Sequence, residues 1–175
     1  MTTPSQPEVW LRGAVAGVDP LLQPVVHALL QAREDLERLA AQLPSDRVWL
    51  RPSGAASIGF HVRHTGGALD RLITYARGEA LTEDQVRALR AEEAPGDPPA
   101  ELGDLVAEVH GTIDRALDQL RATSPELLPA PRSVGKRGLP STTLGLLFHA
   151  AEHCTRHVGQ AITTARILNA SGSPG

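Results

Sequence analysis

The sequence predicts an all-α fold: a four-helix bundle with a long crossover between helices 2 and 3 carrying a short extra helix. Three observations lead there. Aromatic residues make up only 3% of the 175-residue chain while hydrophobic residues make up 41%, so leucine and alanine must fill the core, which favours helices. Apolar positions recur three and four residues apart in long stretches. Cap and stop residues bracket those stretches.

The first helix starts at "DPLLQP", where Asp19 can cap and Pro20 can occupy the first turn. Leu22, Val25, Val26, Leu29, Leu36, Leu39 and Leu43 then follow a helical period before Pro44 ends it. The second helix runs from near Ser57 to Arg77, with Gly78 as its stop. In the connection that follows, Thr82 and Gln85 form a capping box for a short helix over 83–92. That connection, roughly 20 residues, is longer than antiparallel neighbours need and is able to traverse the bundle. The third long helix begins after "GDPP" and carries the stripe Leu102, Leu105, Val106, Val109, Ile113, Leu117 and Leu120. The fourth runs from Ser141 to Asn169. Residues 1–18 are expected to be an extended N-terminal segment, 19–169 the bundle and 170–175 a flexible tail.

Several function classes are disfavoured. A net charge of −3 and few aromatics offer neither an electrostatic footprint nor a stacking platform for nucleic acid. The single cysteine, Cys154, excludes an internal disulfide and a zinc finger. No leader is recognisable at "MTTPSQPEVWLRG", and no apolar run approaches the roughly 20 residues a membrane helix needs. The expectation is a cytoplasmic protein acting on a small molecule.

The fourth helix holds the distinctive stretch, "HAAEHCTRHVGQ" at 149–160, with His149, His153 and His157 four residues apart. At about 100° per residue, Leu144, Leu147, Phe148, Ala151, Val158, Ile162 and Ala165 form a core stripe. Glu152, Arg156 and Arg166 form a solvated sector. The histidines share a third sector with Leu146, Ala150, Gln160, Thr164 and Ile167, and no charge lies in it. An uncharged histidine strip suits a half-buried ligand site better than a water-facing or a purely apolar surface. His149 and His157 are about 12 Å apart along the axis, too far to share one ion at about 2.0–2.1 Å. One adjacent pair must serve, completed from another helix. The second helix offers His61 and His64 in "SIGFHVRH", and the angular count places His61 nearer its apolar stripe. His27 and His110 stand alone in their helices and read as structural. "HAAEH" also matches the H-x-x-E-H protease pattern, but Glu152 lies about 60–100° from the two histidines by the same count, and only 22 residues follow His153.

Three stretches resemble the DinB-like (DinB/YfiT) superfamily of small metal-binding four-helix bundles: "EVWLRGAVAGVDPLLQPVVHALLQ", "SIGFHVRHTGGALDRLITYARG" and "GLLFHAAEHCTRHVGQ". The resemblance spans most of the chain. By position it implies His64, His153 and His157 as the metal ligands, with His64 displacing His61 from that role. The family's usual "HRGQ" is "HVGQ" here. His61, His149 and Glu152 then become candidates for the surrounding shell. Three imidazoles would leave zinc or nickel an open position. The resemblance further implies a metal-dependent S-transferase that uses a low-molecular-weight thiol such as bacillithiol or mycothiol, or a hydrolase, and a homodimer. The alternative is a non-catalytic, stress-related metal-binding bundle.

Other residues are read more plainly. Arg132, Lys136 and Arg137 belong to a solvated loop, and Cys154 to the core. Trp10 and Trp49 are expected to cover the bundle ends. Asp70 and Tyr75 are further acid–base candidates.

Overall fold

A computed structural model describes residues 6–171, the last of these by backbone only; residues 1–5 and 172–175, where most of the expected tail falls, lie outside the described residues. The helices are α1 (Gln23–Ala40), α2 (Ile58–Ala76), the short α3 (Glu83–Ala91), α4 (Leu102–Ala122) and α5 (Thr143–Ser171). Local chemistry sets their starts. Asp19 accepts from the Leu21 amide and opens a single 3₁₀ turn, Pro20–Leu22, ahead of α1. Ser57 accepts from the Phe60 amide at the start of α2. Thr82 and Gln85 exchange side-chain and backbone bonds as a complete capping box on α3.

The four long helices pack as a square in the order α1, α4, α2, α5, so the consecutive α1 and α2 sit across a diagonal. Hydrogen bonds and contacts fix the directions. Gly66 lies against Val109 and the Gln119 amide reaches the Ile73 carbonyl, so α2 and α4 run parallel. His61 meets His157 and His64 meets His153, so α2 and α5 run antiparallel. The parallel α2–α4 pair is the reason for the long crossover, which must return the chain to the end where α2 began. Among the described residues, no helix is long and apolar enough to cross a membrane.

The core is aliphatic, built on Leu22, Leu29, Leu36, Ile58, Leu69, Leu105, Ile113, Leu120 and Leu147, all nearly inaccessible. Three sequence expectations need correction. Leu144 and Phe148 do not belong to the core stripe of α5; Phe148 is 60% exposed, while Leu146 and Ala150, counted with the histidines, are buried. The buried sector is turned by roughly 60° because α5 packs against both α1 and α2. The basic loop folds into an antiparallel hairpin, β1 (Pro131–Val134) with β2 (Leu139–Thr142), and Arg132 Nε donates to the Ala76 carbonyl at the end of α2. Trp10 is exposed rather than a cover, with its indole on Glu8, whereas Trp49 packs over Gly59 and donates to the Ala100 carbonyl.

Candidate metal centre

The turn of the buried sector places the α5 histidines. His149 points to water, while His153 and His157 sit on the flank that faces α2. His64 comes from the facing part of α2. Each of His64, His153 and His157 offers a ring nitrogen, and these lie within 4.8 Å of one another. Nε2 of His64 and Nε2 of His153 are 2.9 Å apart. Two nitrogens sharing a tetrahedral ion lie about 3.3–3.4 Å apart, so the cluster brackets the spacing a single ion needs.

The donor set fits a cation in two further respects. Nδ1 of His153 is buried without a hydrogen-bond partner, and its other nitrogen meets only another imidazole. Burial, reinforced by the neighbouring charges, also holds the His153 and His157 rings below the ordinary imidazole range. His157 is lowered to about 4, by burial first and then by His64, His153, His61 and Arg156. His153 is lowered by burial, then by His64 and His149. At neutral pH these two rings are therefore neutral and have lone pairs to offer.

His64 is held from behind. Its Nδ1 lies 2.6 Å from Oε2 of Glu92, whose other oxygen accepts from Arg71 Nη1 at 2.7 Å. A carboxylate only accepts, so Nδ1 carries the proton and Nε2 keeps its lone pair toward the cluster. Phe60 stacks on His64, with ring centroids 5.3 Å apart and planes 19° from parallel.

The other sequence candidates take lesser places. His61 is the more buried of the α2 pair, as its angular position indicated, but burial is not ligation: its Nδ1 lies 3.1 Å from Nδ1 of His157, outside the three-histidine group. Burial, then His64, lowers its pKa as well. His149 and Glu152 form a half-exposed pair at 3.3 Å, and Arg156 also grips Glu152. With His153 they make a second group of close ligand atoms, but on the solvent side. The Arg156 hydrogen bond to Oε1 holds the Glu152 carboxyl below its usual range. Asp70 accepts from Gln85 on α3, and Tyr75 lines a separate surface cavity of about 1000 Å³ beside the hairpin. Cys154 is fully buried and its thiol is pushed up to about 12, as a core residue and not a nucleophile. His27 holds the Gly13 carbonyl, and His110 lies 3.9 Å from Glu37.

Glu92 is the residue that sequence reasoning missed, hidden among the charges of the crossover. Its signal lay elsewhere, in the Gly66–Gly67 pair within α2. Glycine inside a helix is costly and marks a close approach. A Cβ at Gly67 would lie 2.5 Å from Glu92 Oε1.

Comparison with known proteins agrees with this architecture. The DinB superfamily family model matches residues 28–161, a span that includes all three clustered histidines. No curated protein matches the chain. A crystal structure of a conserved protein from Enterococcus faecalis superposes with a TM-score of 0.65 at 20% identity, covering 83% of this chain and 95% of that one. That likeness is one of fold alone. With the match extending from within α1 through the histidines of α5, the chain belongs to the DinB superfamily.

Proposed function

We propose that the protein is a metal-dependent enzyme in which His64, His153 and His157 hold one divalent ion, zinc or nickel, and in which a small molecule reacts at a position they leave open. The observation that carries this is the convergence of three ring nitrogens from two helices within 4.8 Å, with one neighbouring nitrogen buried and unpartnered. An ion held there supplies Lewis acidity toward a thiol or water. The protein's own contributions are positional and electrostatic. Glu92 keeps His64 in the tautomer that presents Nε2, and burial keeps His153 and His157 unprotonated. Phe60 forms an apolar wall on one side of His64. Arg156, half exposed and paired with Glu152, brings positive charge close enough to lower His153 and His157, a field that favours an anionic co-substrate. Thiol transfer with a low-molecular-weight thiol, the reaction class implied by the sequence resemblance, suits such a field because a thiol reacts as its anion.

Metal analysis of the purified protein tests this reading. We expect near-stoichiometric zinc or nickel, lost in His64→Ala, His153→Ala and His157→Ala but retained in His149→Ala. Thiol consumption with an electrophilic substrate should require the bound metal. If no metal binds after reconstitution, the metalloenzyme reading is overturned. Metal without any thiol-dependent or hydrolytic turnover would leave the non-catalytic bundle.

A further inference from the structure

We infer that Glu92 is the positioning residue of the metal centre, and that through it the docking of the α2–α4 crossover is coupled to metal occupancy. The inference rests on the three-histidine reading above and adds a role for a segment outside it.

Glu92 is the only buried residue between 77 and 101. Apolar anchoring of this stretch is slight: Ala100 packs on the core at its far end, Val86 is half-buried and Leu89 is 42% exposed. Polar bonds hold it to α2 instead. Gln85 reaches Asp70 and Thr74, and Arg63 donates to the carbonyls of Ala91 and Ala94. Glu92 closes the contact. A buried carboxylate is tolerated only when fully partnered, and both of its oxygens are: Arg71 at 2.7 Å and His64 at 2.6 Å. The three α2 positions involved, His64, Gly67 and Arg71, follow i, i+3, i+7 spacing and so share one face. Gly67 is the notch between them. A Cβ there would stand 2.5 Å from Glu92 Oε1 and 2.8 Å from Arg71 Nη1. The face is thus shaped to receive one carboxylate from the crossover and aim it at the far nitrogen of a ligand imidazole.

A cation on Nε2 of His64 acidifies the proton on Nδ1 and strengthens its bond to Glu92. Linkage makes the effect reciprocal: whatever Glu92 contributes to metal affinity, the metal returns to crossover docking. The crossover is then most firmly closed when the site is filled.

Zinc affinity, measured by competition with a chromophoric chelator, and hydrogen exchange of the 83–95 amides with and without zinc test the coupling. Both are run on the full chain and on its Glu92→Ala and Glu92→Gln variants. We expect Glu92→Ala to weaken zinc binding by about 10–100-fold, with Glu92→Gln, which keeps an acceptor for Nδ1–H, recovering part of the loss. Zinc should slow exchange across 83–95 in the natural protein, and that slowing should vanish in Glu92→Ala while α1 amides stay protected in both. Equal zinc affinity in all three proteins overturns the positioning role. Zinc binding that leaves exchange at 83–95 unchanged overturns the coupling. A natural protein that binds no zinc or nickel at all overturns the three-histidine reading, and this inference with it.

Discussion

The Arg71–Glu92 pair separates what holds the fold from what prepares the site, and Arg71→Met exposes the difference. Arg71 is 8% exposed and Glu92 4%, so replacing the guanidinium with a thioether leaves a buried carboxylate whose remaining partner is His64. Breaking a buried pair from one side costs about 3–5 kcal/mol. The surviving His64 bond places this case near the lower end, about 3 kcal/mol. For a chain of this length about 1 kcal/mol corresponds to roughly 2–4 °C, so the melting temperature of the metal-free protein should fall by roughly 6–12 °C. Removing both charges should behave differently. Arg71→Met with Glu92→Leu replaces the pair by apolar side chains, a change that is often neutral, and should restore most of the stability. It should not restore the zinc affinity lost with Glu92. The assay is a thermal melt after chelation for the natural protein, both single variants and the double, alongside zinc competition. A double variant no more stable than Arg71→Met would refute the reasoning, since the penalty could not then reside in the unpaired carboxylate.

Two further outcomes follow from the packing and the electrostatics. Gly59→Ala places a Cβ 2.7 Å from the Trp49 ring, which is itself held by the Ala100 carbonyl and covered by Arg63, so the ring cannot simply yield. The cost should be about 1–3 kcal/mol, as for other overpacked sites, visible as a lower urea midpoint with an unchanged slope. Acid should destabilise the metal-free protein well before ordinary carboxylates titrate. His157 is lowered from 6.5 to about 4, and His153 and His61 are lowered too, so below about pH 6.5 the unfolded chain takes up protons that the folded chain refuses. Stability from these groups should therefore be flat above neutrality and fall from pH 6.5 toward 4; a melting temperature that stays level or rises over that interval contradicts the burial of these rings.

What was legible in the sequence was local or periodic. Asp19, Ser57 and the Thr82–Gln85 box mark helix starts because a cap is made within three residues of itself. The histidines of α5 stood out because the sector of the helix they share carries no charge, and α2 was singled out by its paired His61 and His64. The all-α fold with its long crossover followed from helix count and one over-long connection. Less legible was everything decided between elements. Phe148 fits an apolar stripe by angle, yet it is exposed because only packing against α1 and α2 says which side of α5 faces in. The hairpin at 131–142 is too short, with four residues per strand, for alternation to announce it. Glu92 looks like any other acid in a charged run, and its burial is set by Arg71 and His64 in a helix 21 and 28 residues earlier.

The antiparallel meeting of α2 and α5 has a consequence for how the protein comes into being. His64 and His153 are 89 residues apart, and the two α5 donors sit in the last helix of the bundle. A chain emerging from a ribosome has one donor in place early and must wait until α5 has been made before the others arrive. An ion held by these three histidines would therefore be acquired late, by a molecule whose α1, α2 and α4 have already been synthesised. A product truncated before residue 143 would have His64 alone of the three, and scavenging of metal by incomplete chains would be avoided by the order of synthesis itself.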